Sequence, residues 1–376
     1  MILLDGARYD RIKRMENFKK LMGKSTVFSQ VITYAPYTIA AMHAIFSGSY
    51  GSRNGVNNYY GTYSFKKDSF LTLTGYLKNN GYYTFGDLLS ELVVPAVGFD
   101  ELKIHNELKD DLTQRHLDFL DKINDIRKHK NFFLYLHYSN IHTGVMLNVL
   151  KKYNNFSKEY FEKKNENLKA YDSYIEAADK YLGTILDKII DLGMIEDTIV
   201  VVFSDHGISV GEKFGERAYG GFCYDYTVKV FTLFFQPSIF PQREIKQMVR
   251  TIDTLPTILD FLEIPEAQDY GKMDGKTMMP LIRGDKDERY AFIEAGNPLK
   301  SKEPPRQPNV RAIRTSKWKF IHNYWNDSEE LYNLEKDPKE NNNLIETKKE
   351  IAEDLRKKLN LELRKALSLK IKYLKK

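Results

Sequence analysis

Two aspartates stand where buried strands are predicted to end. Asp5 directly follows the apolar run 2–4, and Asp205 follows the apolar run 200–203 after one serine, with His206 beside it. The carboxyl ends of parallel strands meet at one edge of an α/β sheet, where ligands bind. Two carboxylates brought together there would repel each other without a cation, and Mg²⁺, Mn²⁺, Ca²⁺ or Zn²⁺ suits oxygen and imidazole ligands. The alternative is that each aspartate only caps a helix or forms a turn.

Thr38 is the candidate nucleophile. It stands at the start of a predicted helix, directly after a Pro-Tyr pair, and a helix N-terminus offers free N–H groups to phosphate or sulfate oxygens. A hydroxyl is a weak nucleophile at neutral pH, so it needs a base or a metal that lowers its pKa. A cation held by Asp5 and Asp205 would supply that. The alternative, which position alone favours, is a threonine that only caps the helix.

Three further side chains are candidates for contact with a bound substrate. His142 lies five residues beyond His137, after a predicted strand at 132–137, and a histidine there could donate to a non-bridging oxygen or protonate a leaving group. Lys213, seven residues after His206, could add positive charge. The alternatives are a core or surface histidine, especially for His137, and an exposed loop lysine for Lys213.

Short apolar runs alternate with helical periodicity along the chain, which predicts an α/β fold. Strands are predicted at 1–4, 27–32, 82–85, 132–137, 198–203 and 230–235. Helices are predicted at 10–21, 38–46, 69–79, 112–128, 165–192 and 243–262. Residues 88–110 and 143–163 are predicted to be irregular. After Pro265 the predicted elements are short, charged and rich in turns. We therefore predict a main domain over 1–265, a smaller unit over 266–347 and a terminal helix over 348–376.

The composition excludes several classes of protein. Of the 376 residues, 42% are hydrophobic and 13% aromatic, which is incompatible with global disorder. The single cysteine, Cys223, allows neither an intramolecular disulfide nor a metal site with two cysteines. The sequence contains no recognisable signal peptide and no apolar run long enough to span a bilayer, so a cytoplasmic location is expected.

The net charge of +6 lies in the C-terminal tail. Residues 348–376 contain eleven Lys or Arg and four Asp or Glu, so the rest of the chain is close to neutral. Nucleic-acid binding is therefore not expected. The tail is predicted to form a basic helix whose apolar face contains Leu355, Leu359, Leu363, Leu367 and Ile371. Either this face packs on the protein, or it attaches the chain peripherally to an anionic membrane.

The order of several motifs resembles the sulfatase branch of the alkaline phosphatase superfamily. LLDGARYD at 3–10 resembles its first metal-binding strand and turn, and SGSYGSRNGV at 47–56 resembles the stretch that closes its nucleophile helix. SDHG at 204–207 resembles its second metal motif, and ELYNLEKDPKENNNL at 330–344 resembles its C-terminal signature. The resemblance implies an alkaline-phosphatase-like sandwich: a central, mostly parallel sheet between helices, plus a small C-terminal α+β subdomain.

The resemblance also implies roles for single residues. Asp5, Asp205 and His206 would bind one divalent metal ion (Mn, Mg, Ca or Zn), and Thr38 would be the nucleophile and a fourth ligand. His142 would make a polar contact with the transferred group or the leaving group. These roles come from the match to the family's motifs and not from the spacing alone.

The nucleophile segment departs from that of sulfatases that cleave sulfate esters. Those enzymes form formylglycine from Cys or Ser within C/S-x-P-x-R, whereas residues 38–42 here are TIAAM, so no formylglycine is expected. A threonine nucleophile resembles that of phosphoethanolamine transferases and lipoteichoic acid synthases, which pass through phosphothreonine. We therefore predict a metal-dependent hydrolase or transferase of phosphate mono- or diesters, on a small-molecule, lipid-linked or glycan-linked substrate. The alternatives are a sulfatase without formylglycine and a non-catalytic relative that binds glycan or lipid.

Overall fold

The computed structural model describes residues 1–150, 157–216, 218–298 and 303–374, in which two β-sheets are surrounded by helices. The larger sheet has nine strands. They are β1 (Ile2–Leu4), β2 (Thr26–Ile32), β3 (Tyr83–Leu88), β4 (Glu101–Ile104), β5 (Phe132–Tyr138), β6 (Val200–Phe203), β7 (Lys229–Phe235), β8 (Arg243–Ile245) and β9 (Val249–Arg250).

The order of strands places β1 in the interior of this sheet. The order is β4-β3-β5-β1-β6-β7-β2-β8, with β9 also beside β2. All pairs from β4 to β6 are parallel, and β7 is antiparallel to both of its neighbours. Leu3 of β1 lies opposite His137 of β5 and Phe203 of β6. The predicted, mostly parallel sheet is confirmed, and the carboxyl ends of β5, β1 and β6 meet at one edge.

Helices cover both faces of the larger sheet. In chain order the α-helices are α1 (Tyr9–Ile12), α2 (Glu16–Met22), α3 (Thr38–Ser47), α4 (Gly51–Asn54), α5 (Leu73–Asn79), α6 (Leu112–Ile126), α7 (Asn140–Asn148), α8 (Lys158–Glu162), α9 (Lys164–Asp191), α10 (Asp225–Val228), α11 (Thr254–Phe261), α12 (Met279–Arg283) and α13 (Lys349–Leu374). Ile2 and Leu4 pack in the core formed with α1, α2, α6, α7 and α9, whereas Leu3 packs with α3, α5 and α11. This alternation follows from the two-residue period of a strand, and it confirms the sandwich.

The smaller sheet is antiparallel and lies toward the C-terminus. Its strands, in spatial order, are β10 (Ala291–Ala295), β11 (Val310–Arg314), β12 (Trp318–Asn323) and β13 (Ser328–Asn333). Leu355 and Leu359 of α13 are buried in one core cluster with Phe320, so this part of the predicted apolar face is covered by the sheet. The side chains of Leu367 and Ile371 lie outside the described residues. No helix within the described ranges combines the length and the hydropathy needed to cross a bilayer.

Four predictions of local structure are wrong. The predicted helix 10–21 is split into α1 and α2, because Met15 has an extended backbone and caps α2. The predicted helix 243–262 begins as β8 and β9, which pair with the edge of β2, and only α11 within it is an α-helix. The segment 88–110 contains β4, which pairs with β3. The segment 143–163, predicted to be irregular, contains the end of α7 and the whole of α8. Its residues 151–156 lie outside the described ranges.

Candidate active site

The carboxyl ends of β1 and β6 bring three of the predicted ligands together. Asp5 directly follows β1, and Asp205 and His206 follow the neighbouring parallel strand β6. The Nε2 atom of His206 lies 3.4 Å from Asp5 Oδ1 and 3.7 Å from Asp205 Oδ2. All three side chains are fully buried. Both strands are therefore needed to build this cluster, because each supplies only part of it.

The hydroxyl of Thr38 faces the same cluster. Thr38 is the first residue of α3, and Tyr37 is the cap residue, which makes no side-chain hydrogen bond to the helix. Thr38 Oγ1 lies 3.2 Å from His206 Nε2 and 3.4 Å from Asp5 Oδ2. Thr38 is buried, with 8% of its surface exposed. The cap residue of α3 is thus Tyr37 and not Thr38, and the role of Thr38 as nucleophile stays a prediction.

The cluster has the donors of a divalent-cation site. Asp5 Oδ1 and Asp205 Oδ2 are buried without a hydrogen-bond partner. Burial raises the pKa of Asp205, and the charge of Asp5 raises it further. Burial alone would also raise the pKa of Asp5, but the charge of His142 and the hydrogen bond from His137 outweigh it and hold that pKa well below its usual range. Two bare carboxylate oxygens beside an imidazole and a hydroxyl fit a divalent cation. The residues that would hold it are Asp5, Thr38, Asp205 and His206.

His142 and Tyr219 line the more open side of the cluster. His142, on α7, places Nδ1 3.5 Å from Asp5 Oδ2, and this nitrogen has no hydrogen-bond partner. Its Nε2 lies 2.6 Å from the hydroxyl of Tyr219, whose ring is tilted against that of His206 with the centroids 5.0 Å apart. No motif marks Tyr219, and the only sequence signal for it is its place in the segment that follows β6.

His137 and Lys213, the two residues predicted to bind substrate, both contact other parts of the protein. His137 is fully buried, and its Nε2 donates to Asp5 Oδ2 at 2.9 Å. His137 therefore orients the carboxylate of Asp5. Lys213 donates from Nζ to the backbone carbonyl of Glu340 and lies over the ring of Tyr224, 4.9 Å from its centroid. These contacts tie Lys213 toward the C-terminal subdomain, and substrate binding by His137 and Lys213 stays a prediction.

A second buried cluster lies at the end of β3. Asp87 Oδ2 accepts hydrogen bonds from His105 Nδ1 and His116 Nε2, both at 3.0 Å, and Oδ1 accepts from Arg115 Nε and Nη2 at 3.0 and 2.8 Å. His105 Nε2 lies 3.0 Å from Ser139 Oγ. The carboxylate and the two imidazoles are close enough to hold a cation, but their polar atoms all have hydrogen-bond partners within the described structure. Hydrogen bonding therefore accounts for this cluster.

Replacement of Asp87 by alanine should lower the free energy of unfolding by about 3–5 kcal/mol, because it leaves buried His105, buried His116 and Arg115 without their shared acceptor. Urea denaturation followed by circular dichroism would measure the change. Asp110 is the matched control, since it faces the same Arg115 at 3.7 Å from a more exposed position, and Asp110→Ala should cost less than about 1 kcal/mol. Similar losses in the two variants would contradict the network.

Glu216 is a buried carboxyl in the segment that leads from β6 to Tyr219. Its Oε1 accepts a hydrogen bond from Thr227 Oγ1 at 3.3 Å, and its Oε2 has no hydrogen-bond partner. Burial, together with the charges of Glu212 and Glu340, raises the pKa of Glu216 to about 8. The folded protein therefore holds this carboxyl in its neutral form at neutral pH.

Replacement of Glu216 by glutamine should make stability less sensitive to pH. Between the ordinary pKa of 4.5 and about 8, the folded protein keeps a proton that the unfolded chain has lost. The wild-type free energy of unfolding therefore falls as pH rises through this window, by about 3–5 kcal/mol from this group. Urea denaturation should show the advantage of Glu216→Gln over wild type growing across the window. Exposed Glu91 is the control, and a pH-independent difference for Glu216→Gln would refute the assignment.

Fold and site together define a protein of the alkaline-phosphatase-like superfamily, with its polar cluster at the carboxyl edge of a mostly parallel sheet. The sequence model of the sulfatase family matches residues 5–264. The model of the C-terminal part of N-sulphoglucosamine sulphohydrolase matches residues 219–367. The chain belongs to the sulfatase family.

Curated relatives match this chain over part of their length. A protein named sulfatase from Formosa agariphila is 26% identical over 258 residues, which are 62% of this chain and 45% of that protein. The choline-sulfatase of Rhizobium meliloti is 28% identical over 193 residues, which are 50% of this chain and 35% of that enzyme. The chain thus spans less than half the length of these two relatives.

Solved structures match the fold over nearly the whole chain. One, a protein in complex with its substrate D-glucosamine-2-N,6-O-disulfate, has a TM-score of 0.74 at 16% identity, with 98% of each chain covered. Another, the phosphonate monoester hydrolase of Agrobacterium radiobacter, has a TM-score of 0.71 at 15% identity, with 99% of this chain and 95% of that chain covered. At such identities the likeness shows the fold alone.

Proposed function

We propose that this chain is a divalent-metal-dependent hydrolase of sulfate esters in which Thr38 is the nucleophile. The observation that carries the proposal is the position of the Thr38 hydroxyl, 3.2 Å from His206 Nε2 and 3.4 Å from Asp5 Oδ2. Membership in the sulfatase family and the names of the curated relatives support sulfate over phosphate. The predicted preference for phosphate esters rests on the threonine alone, so we place phosphate esters second to sulfate esters as substrates.

The proposed reaction has two steps. Asp5, Asp205 and His206 would hold a divalent cation, whose charge would lower the pKa of the Thr38 hydroxyl and offset the charge of the bound ester. Thr38 gives its proton to solvent. The Thr38 oxygen attacks sulfur while the bond from sulfur to the alcohol oxygen breaks, which leaves a sulfate ester on Thr38. The N–H groups at the start of α3 stabilise the sulfuryl oxygens. Water then attacks sulfur and releases sulfate.

This route uses an unmodified hydroxyl. The segment 38–42 lacks the Cys or Ser, the Pro and the Arg of the formylglycine motif, so we propose that no aldehyde forms at residue 38. Release of sulfate then depends on attack by water at sulfur, because an ester of threonine has no second hydroxyl on the same carbon through which sulfate could be eliminated.

Phosphate esters are the second candidate substrates, and the unmodified Thr38 is the observation that favours them. A phosphothreonine can be hydrolysed by water in the same site without any aldehyde chemistry. The fold likeness to a phosphonate monoester hydrolase is compatible with this candidate. A hydrolase of either ester would use the same cluster of Asp5, Asp205 and His206.

One panel of assays tests the proposal. Wild type and Thr38→Ala would be stripped of metal, reloaded with Mg²⁺, Mn²⁺, Ca²⁺ or Zn²⁺, and assayed with nitrophenyl sulfate, nitrophenyl phosphate and bis-nitrophenyl phosphate. We expect the highest kcat/KM on the sulfate ester and its loss in Thr38→Ala. Higher kcat/KM on either phosphate would replace the first candidate by the second. Binding of sulfated sugars without turnover of any ester would instead identify a non-catalytic relative.

A further inference from the structure

Glu107 is a partly exposed carboxylate that has no part in the two steps above. It lies on the loop after β4, and Thr143 Oγ1 donates to its Oε2 at 2.5 Å. Thr143 directly follows His142 on α7, so Glu107 lies against the helix that lines the open side of the cluster. Among the residues that the structure describes, this is the only hydrogen bond of the carboxylate, and no basic side chain forms an ion pair with it. Glu107 therefore has a negative charge that no described residue neutralises by direct contact.

The loop that carries Glu107 is held in place by hydrogen bonds on both sides of the residue. Before it, the backbone N–H of His105 donates to the carbonyl of Leu88 at 2.9 Å. Around it, the backbone N–H of Asn106 donates to Asp110 Oδ2, and that of Asp110 donates to the carbonyl of Asn106, both at 2.9 Å. The carboxylate is thus positioned before a ligand arrives, and binding to it costs little ordering of the loop.

Tyr219 and Met146 line the same open side of the cluster. The hydroxyl of Tyr219 lies 2.6 Å from His142 Nε2 and 3.7 Å from Met146 Sδ, and all three side chains are partly exposed. Burial raises the pKa of Tyr219, and the negative charges of Asp5 and Glu107 raise it further. The charge of Glu107 therefore acts across the open side of the cluster and not only on its own loop.

Tyr59 extends this lining toward Thr38. Its ring stacks on that of Tyr37, the residue before Thr38, with the centroids 4.3 Å apart and the planes 18° from parallel. Its hydroxyl lies beside the residue that follows Tyr219, since a Cβ added to Gly220 would be 2.8 Å from it. Tyr59 is partly exposed. Two phenol rings therefore line the way from the start of α3 to the open side of the cluster.

These groups together have the chemistry of a cation-binding surface. The face of a phenol ring carries negative potential and attracts ammonium groups, including quaternary ones. A thioether is polarisable and adapts to the shape of a ligand, and Glu107 adds a full negative charge. An anionic alcohol would be repelled by Glu107, and a neutral alcohol would leave this carboxylate without an ion-pair partner.

We propose that Glu107, Tyr59 and Tyr219 form a subsite for a cationic alcohol, an inference that rests on the proposed function. The cluster around Thr38 holds the sulfuryl group of the ester. The alcohol part extends to the open side, where its ammonium group lies between the Glu107 carboxylate and the two phenol rings. The substrate class is then a sulfate ester whose alcohol carries an ammonium group.

The experiment compares two sulfate esters that have the same shape and differ in charge. Trimethylammonioethyl sulfate has a cationic alcohol, and neohexyl sulfate has a carbon atom in place of the nitrogen. In metal-loaded wild type, kcat/KM measured by sulfate release should be at least about tenfold higher on the cationic ester. In Glu107→Gln this ratio should fall by about tenfold, mainly through KM, because the ammonium group lies away from the reacting bonds. Calorimetric titration with trimethylammonioethanol alone should show a matching loss of affinity.

Two further variants separate the possible outcomes. Asp110→Asn removes a negative charge from the same loop, where Asp110 faces Arg115 at 3.7 Å, and it should keep the wild-type ratio. Glu107→Lys should reverse the ratio in favour of neohexyl sulfate. Equal losses of Glu107→Gln on both esters, a wild-type ratio near one, or turnover of nitrophenyl sulfate but of neither alkyl ester would overturn the cation subsite while leaving the hydrolase intact. A wild type that cleaves no sulfate ester at all would instead refute the proposed function.

Discussion

Substitution of Thr38 by alanine is expected to lower kcat by about 10⁴-fold or more, because it removes the nucleophile itself. The fold should survive, since Thr38 is the first residue of α3 and makes no capping hydrogen bond that the helix would lose. Three of the four candidate ligands also remain. Steady-state kinetics on nitrophenyl sulfate would measure the loss, and thermal unfolding and elemental analysis would show that folding and metal binding are retained.

Thr38→Ser is the matched control for that experiment. Serine keeps the hydroxyl and loses only a methyl group, so its activity should stay within about tenfold of wild type. In wild type, acid quenching during turnover should trap the sulfuryl or phosphoryl group on the peptide that contains Thr38. More than about 1% of wild-type kcat in Thr38→Ala, or a trapped group on another residue, would show that Thr38 is not the nucleophile.

The part of the site that lies at strand ends could be predicted from sequence. The run 200–203 is continuously apolar, as a strand covered on both faces should be. This pattern predicts that Asp205 and His206, which follow the run, lie at the carboxyl edge of the sheet. The same reasoning places Asp5 beyond β1. Neighbouring parallel strands then bring these residues together without any knowledge of the loops.

The rest of the site depends on contacts that no local pattern encodes. Tyr219 reaches His142 because the backbones of Ser209 and Ala218 pair and close a loop. This pair lies outside the helices and strands, so no periodic pattern in the sequence predicts it. The burial of His137 depends on the layers that cover β5 on both faces. Likewise the local sequence around β8 predicts a helix. The segment forms a strand because it pairs with β2, a long-range contact that outweighs local propensity.

The charge of the cluster points to a second large effect. Chelation of divalent metal should abolish ester hydrolysis and lower Tm, because Asp5 Oδ1 and Asp205 Oδ2 are buried without partners and burial beside Asp5 raises the pKa of Asp205. A cation offsets both the repulsion and the lost solvation. At a concentration about 100 times its Kd it should stabilise the fold by about 2.7 kcal/mol. For a chain of this size, differential scanning fluorimetry should show this as a rise in Tm of about 3–4 °C.

Asp205→Asn separates this cation site from any other effect of metal. The amide keeps the shape of the side chain but removes the charge, so the metal-free variant should be at least as stable as metal-free wild type. The Tm of Asp205→Asn should nevertheless not rise when Mg²⁺, Mn²⁺, Ca²⁺ or Zn²⁺ is added, and the variant should not hydrolyse the ester. Asp118→Asn, at an exposed position on α6, should gain as wild type does. An equal rise in Tm for Asp205→Asn and wild type would place the cation elsewhere. No rise in wild type would refute the site, because a bound cation must relieve the buried repulsion between Asp5 and Asp205.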